Sequence, residues 1–250
     1  MSDASPSFQP RYFAELARLE SGNFWFRARN RLIVGALDRH FPTARNFLEV
    51  GCGTGFVLAG IAAARPGLAL AASDAYSEGL AFAAQRVPAA RFYQADAGAL
   101  AFDAEFDVVG AFDVLEHIAD DAAVLRAMHR ALRPGGGVLL TVPQHPALWS
   151  AQDEHAGHRR RYTKRELVAK LRAAGFAHIR TTSFVSLLLP LMALARLRKR
   201  KRADPFDELR IAGLANRLLE AVLDIERGLI RLGVSFPAGG SLLAVARKAP

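Results

Sequence analysis

Two periodicities alternate along the chain. Short apolar runs at 46–50, 68–73, 91–95, 105–112, 138–143 and 177–184 read as strands. Between them, apolar residues recur every three or four positions over 54–65, 76–87, 118–132 and 164–176, which predicts helices. The stops agree: Pro66, Pro88 and Pro134 follow three of the helices, and Gly175 lies at the end of the fourth. A last strand is expected over 241–247. Ahead of residue 46 the sequence is aromatic-rich and helical, in RYFAELARLE and in FWFRARNRLIVGALDRHF, which ends before Pro42. Strand and helix alternating in this way give a mainly parallel α/β sheet covered on both faces. Ligands of such sheets lie beyond the carboxyl ends of the strands.

The regular pattern breaks between the sixth and last strands. Residues 184–195 are apolar, interrupted by Pro190, and too short to span a bilayer, which takes about 20 residues. They predict a buried or interfacial helix. Ile211, Leu214, Leu218, Val222, Ile225, Leu229 and Leu232 then form one stripe, expected to lay a long amphipathic helix on the core or on a partner. The organisation expected is a helical cap over 1–45, a core over 46–183, a helical insertion over 184–238 and a returning strand over 239–250.

Composition narrows this picture. Of 250 residues, 51% are hydrophobic, so the chain can bury a large core. Cys52 is the single cysteine, which excludes disulfides and cysteine-based zinc sites and suits a reducing, cytoplasmic setting. The stretch MSDASPSFQPRYF has no apolar segment, so no secretory signal is expected. The formal charge of +9 gathers in His158-Arg-Arg-Arg-Tyr162 and in 196–202, where six of seven residues are basic. The second cluster follows the apolar run directly. Together, 184–202 suggest either a peripheral contact with an anionic membrane, at about 1 kcal/mol per charge near the surface, or a lid over a greasy ligand. The alternative is a core helix with a solvated basic end. The His158–Tyr162 cluster reads either as a site for an anionic acceptor or as a solvated turn. Thr163 and Glu166 behind it form a capping box.

The first strand runs into Glu49-Val-Gly-Cys-Gly-Thr-Gly55. Its glycines do not have the G-x-G-x-x-G spacing of dinucleotide sites, and a carboxylate at Glu49 suits a positively charged ligand better than a pyrophosphate. The motif resembles the first motif of class I S-adenosylmethionine-dependent methyltransferases. The resemblance continues through Ser73-Asp74, Gln94-Ala-Asp96-Ala97, the stretch from Phe106 to His117 and Leu132-Arg-Pro-Gly-Gly-Gly137. It covers roughly 46–183 and 240–247. It implies a Rossmann-like, doubly wound, seven-stranded sheet with an antiparallel last strand, and S-adenosylmethionine as cofactor. It further implies a cofactor site of Glu49, Gly51, Cys52, Gly53, Gly55, Asp74, Ala75, Asp96, Ala97, Phe112, Asp113 and Val114. Asp74 would bond the ribose hydroxyls and Asp96 the adenine side; both are alternatively simple caps. Cys52 is read as a small turn residue rather than a nucleophile, and Asp107 as a structural residue. Phe24-Trp-Phe-Arg-Ala-Arg29 resembles a segment that family members place over the cofactor, adding Trp25, Phe26 and Arg29, with Arg29 available to a carboxylate. The alternative is an amphipathic helix packed on the sheet.

The implied reaction is transfer of a methyl group to a small-molecule or lipid-like acceptor, with O-methylation favoured. An alcohol or phenol acceptor calls for a base. The base candidates are His117, His145, His155 and His158, with His117 and His145 favoured as catalytic, and His145, Trp149, Asp153 and His155 are expected on the acceptor side. No metal is expected, because the acidic spacing of magnesium-dependent members is not evident. A nucleic-acid or protein acceptor is disfavoured, since no added RNA-binding module is visible. A non-catalytic cofactor-binding subunit is the remaining alternative.

Overall fold

The structure is a computed structural model that describes residues 12–197, 210, 211 and 213–249. Most of the 196–202 basic run, and the membrane expectation resting on it, therefore lies outside the described residues. The strands are β1 Asn46–Val50, β2 Ala69–Asp74, β3 Arg91–Gln94, β4 Phe106–Phe112, β5 Leu132–Pro143, β6 Phe176–Phe184 and β7 Ser241–Lys248. They form one sheet in the order β3-β2-β1-β4-β5-β7-β6. Neighbours from β3 to β5 pair in parallel, and β7 pairs antiparallel with both β5 and β6. The order reverses between β1 and β4, so the strand ends there open into a crevice.

Side chains alternate across this sheet, and the two cores follow from that. Phe47, Val108, Leu139 and Leu243 face one way, against α2 Phe24–His40 and α3 Phe56–Ala64. Leu48, Val109, Leu140 and Ala244 face the other, against α5 Asp121–Ala131 and α7 Lys164–Ala173. The remaining helices are α1 Phe13–Leu19, α4 Ser77–Arg86, the short α6 Ala151–His155, α8 Leu189–Leu197 and α9 Gly213–Arg231. Pro190 falls in the first turn of α8, where its missing N–H costs no hydrogen bond, so it starts this helix and does not interrupt it. Asp120 caps α5 by accepting from Ala123 N at 2.9 Å, which moves that helix start three residues beyond the expected one. Strand β5 begins at Leu132 and not at Val138.

Helix α9 is present, but its expected stripe is not what holds it. Leu214, Leu218, Ile225 and Leu232 are 59–84% exposed. The buried positions are Asn216, Leu223 and Glu226. Asn216 Oδ1 accepts from Phe24 N, and Glu226 accepts the N–H groups of Ser186 and Leu187. Glu220 and Asp224 pair with Arg27 and Arg31 on α2. Polar partners one helix away decide the rotation of α9, and apolar periodicity carries no information about them.

Candidate functional site

The carboxyl ends of β1 to β4 open into one cavity of about 930 Å³. Its strand-side wall is set by backbone conformation. Gly51, Gly53 and Gly55 all have positive φ, at 68°, 50° and 73°. A Cβ on Gly51 would lie 2.6 Å from Val114 Cγ2, and one on Gly55 would lie 2.7 Å from Ala83. Gly55 thus seats α3 against α4 and, unlike Gly51 and Gly53, is not among the residues lining the cavity. Asp74 closes the turn: Oδ2 accepts from Gly53 N at 2.8 Å and Oδ1 from Tyr76 N at 3.0 Å. Asp96 accepts from Gly98 N at 2.7 Å through Oδ1 and still lines the cavity. Asp107 lies away from it and accepts from Arg45 N and Arg133, as a structural residue.

Trp25, Phe26, Arg29, Glu49, Gly51, Cys52, Gly53, Asp74, Ala75, Asp96, Ala97, Phe112, Asp113, Val114 and His117 all line this one space. Arg29 is buried, lies over the Trp25 ring at 4.4 Å and is ion-paired with Asp113. It is therefore engaged by the protein on one side, while its buried Nε has no hydrogen-bond partner. Burial lowers its pKa to about 10. Burial, with Asp74 adding and Arg29 opposing, raises the Glu49 carboxyl to about 8. The Cys52 thiol is pushed far up by burial and by Glu49 and Asp74, so it stays protonated and is no nucleophile.

The acceptor-side expectations divide. His155 and His158 line the cavity; His145, Trp149 and Asp153 do not. His145 has φ 62° and is turned away, with its Nε2 buried and without a hydrogen-bond partner. Trp149 is exposed and donates to Glu154 Oε1 at 3.3 Å. Asp153 is buried as a scaffold: it accepts from Ser150 N, His158 Nδ1 and Arg161 Nε at 2.8–2.9 Å. This holds its pKa well below the usual carboxylate range despite burial. The arginines of the basic turn are each tied to the chain, while Arg159 stays exposed and, like Arg161, lines the cavity. Arg159 donates to His117 O, Arg160 to Ala119 O, and Arg161 to Asp153 and Gln144 O.

Sequence reasoning missed Glu20 and Glu116. Glu20 accepts from Thr54 Oγ1 at 2.7 Å under the glycine turn. Glu116 is fully buried, lines the cavity, and has no hydrogen-bond partner on either oxygen. Burial raises its pKa to about 8. The one available signal was its place between Asp113 and His117 in the stretch after β4. The unpartnered Glu49 Oε2, with the aromatic faces of Trp25, Phe26 and Phe112, fits a ligand that brings donors and positive charge. S-adenosylmethionine is such a ligand.

Comparison with known proteins agrees. The methyltransferase-domain family matches residues 19–181. A probable S-adenosylmethionine-dependent methyltransferase of Mycobacterium tuberculosis (strain ATCC 25618 / H37Rv) is 33% identical over 165 residues, covering 64% of this chain and 58% of that protein. The ubiquinone biosynthesis O-methyltransferase of Ruegeria pomeroyi is 36% identical over 134 residues, covering 46% of this chain and 50% of that protein. The matches thus span 50–58% of the length of these curated relatives. The fold is shared with a Thermotoga maritima methyltransferase described as a possible histamine N-methyltransferase, at a TM-score of 0.62 and 15% identity over 96% of this chain and 97% of that one. It is also shared with Haemonchus contortus phosphoethanolamine N-methyltransferase 2 in complex with S-adenosyl-L-methionine, at a TM-score of 0.62 and 19% identity over 100% of this chain and 62% of that one. With the family match spanning well over half of its 250 residues, the chain belongs to the class I S-adenosylmethionine-dependent methyltransferases.

Proposed function

We propose that the protein transfers the methyl group of S-adenosylmethionine to a hydroxyl oxygen of a small, largely apolar acceptor. One observation carries this reading: a single cavity joins the glycine-turn wall to an apolar roof and to the Glu116–His117–His158 group. Bound S-adenosylmethionine supplies an already activated methyl electrophile. The chain's own task is alignment, exclusion of water and removal of the acceptor proton. Asp74 and Gly53 present the turn, and Trp25 and Phe26 cover it. Leu188, Leu191 and Met192 from the α8 region, with Leu219 of α9, line the roof. In this reading 184–238 serves as a lid on the 46–183 core, with 1–45 as a cap and 239–250 returning to the sheet. As the oxygen–carbon bond forms and the carbon–sulfur bond breaks, the hydroxyl proton must leave. His117 is neutral above about pH 4, because burial and neighbouring His158 lower its pKa to about 4. Its lone pair is thus available near the acceptor. The ubiquinone biosynthesis O-methyltransferase name of several relatives supports oxygen as the acceptor atom.

No helix among the described residues is long and apolar enough to cross a membrane. The exposed leucines of α9 and the +9 charge support a peripheral contact with anionic lipid. Co-sedimentation with anionic vesicles at low salt tests that part alone. The central test is calorimetric titration with S-adenosylmethionine. Binding is expected for the wild type, weakened ~10–100-fold in Asp74→Ala, since a hydrogen bond to a charged group contributes about 1.5–3 kcal/mol. A wild type that does not bind, or a variant that binds equally well, refutes the reading.

A further inference from the structure

We propose that Glu116, His117 and His158 form a divalent-cation site at the acceptor end of the cavity, and that the acceptor hydroxyl binds there as an oxygen ligand of the cation. The inference rests on the methyl-transfer reading for the identity of that ligand, but the cation site stands on its own geometry. One ligating atom from each residue lies within 4.8 Å of the others. Each is free for a metal. Both Glu116 carboxylate oxygens are buried without a hydrogen-bond partner. His117 Nδ1 is also buried without one, while the ring's other nitrogen is taken by the backbone of Gly157. His158 donates through Nδ1 to Asp153 Oδ1 at 2.9 Å, which leaves the Nε2 lone pair directed towards Glu116 Oε1, 4.0 Å away.

The supporting shell follows the pattern of known metal centres. A metal-ligating histidine commonly donates its second nitrogen to a carboxylate or a backbone carbonyl, which fixes its tautomer and orientation. Asp153 does this for His158, and the Gly157 backbone for His117. Arg161 pairs with Asp153 and so neutralises that positioning carboxylate. Glu116 has no comparable close partner, and an unpaired buried carboxylate calls for a cation. Two imidazoles and one carboxylate suit zinc, iron(II), cobalt(II) or manganese(II) and leave coordination positions open towards the cavity. A cation in such a site lowers the pKa of an oxygen ligand, so with the cation bound the acceptor proton passes to water and His117 acts as a ligand in place of the base. That selects acceptors with a hydroxyl over amines. The sequence spacing conceals the set, because His158 follows His117 by forty-one residues and meets it only when the turn behind α6 folds back.

The test uses Co²⁺ alone as probe on the full-length protein. Ligand-field absorption and calorimetry are expected to show one Co²⁺ per chain, displaced by Zn²⁺. Affinity should fall in Glu116→Gln and in His158→Gln by more than the ~10–100-fold that outer partners command, and by that ~10–100-fold in Asp153→Asn. Circular dichroism checks that each variant folds, and His117→Gln is the independent third ligand variant. Absence of stoichiometric Co²⁺ uptake by the wild type overturns the proposal. So does uptake that is unchanged in any folded ligand variant. S-adenosylmethionine titration of the same samples separates the two readings: cofactor binding without Co²⁺ uptake removes the cation site alone, and Co²⁺ uptake without cofactor binding removes the methyl-transfer reading alone.

Discussion

The two walls of the cavity are built on different principles. On the strand side, each of four successive strand ends delivers one acid: Glu49, Asp74, Asp96 and Asp113. Backbone N–H groups meet Asp74 there, and the glycine conformations of the turn present one of them. On the facing side, Asp153 of α6 and His158 and Arg161 of the turn behind it are held by one another, and Glu116 lies beside them without a hydrogen-bond partner. The first wall depends on backbone shape, the second on mutual satisfaction of buried charges. A backbone wall tolerates side-chain change but not an added Cβ. A charge-network wall weakens when one of its paired charges is removed.

The comparison breaks most readily at Asp153. Asp153→Ala leaves Arg161 buried without its carboxylate and should destabilise the protein by about 3–5 kcal/mol. Urea unfolding measures this, and a loss under ~1 kcal/mol would show that the network does not hold its wall. Next is Gly51→Ala. The left-handed conformation costs a residue with a Cβ about 1–2 kcal/mol, before the 2.6 Å approach to Val114 is counted. Adding Val114→Ala should recover the steric part and leave the conformational part, and equal stability of the single and double variants would contradict the packing account.

A smaller effect concerns pH. The folded-state pKa of Glu49 is raised from 4.5 to about 8, under burial opposed by Arg29 and assisted by Asp74. Its contribution to stability is therefore full below pH 4.5 and is lost as pH rises from there through about 8. Glu49→Gln removes that loss, so the Tm of the variant should gain on the wild type between pH 5 and pH 8. A gap that does not change with pH would place an ionised Glu49 in the folded protein. The smallest effect is expected on the outer face of α9. Ile225→Ser is 61% exposed before substitution and should stay within ~0.5 kcal/mol of the wild type by thermal unfolding. A larger loss would mean that this face is covered in solution.

The same contrast explains what could be read from the chain before folding. The strands and their mainly parallel pairing are legible because each strand depends on a few consecutive residues with a fixed period, whereas the strand-side acids are marked only by the resemblance of their motifs. Gly55 was recognised as part of the motif, but its close neighbour Ala83 lies on another helix. His145 and Asp153 were placed on the acceptor side by proximity in sequence, while turn geometry and ion pairing directed them elsewhere. The rotation of α9 was misjudged for a related reason. Arg27 and Arg31 lie nearly two hundred residues before their partners, and no local pattern links them.

The position of β7 has a consequence for how the molecule comes into being. Strand β6 pairs with β7 and with no other strand, while β7 also pairs with β5. During synthesis the sheet can therefore grow in sequence from β1 through β5, but β6 has no ladder to join until Ser241–Lys248 has left the ribosome. Until then α8 and α9 would be tethered to an unattached strand, and the cavity would lack its roof. Closure of the sheet and completion of the cavity roof thus fall together, late in synthesis.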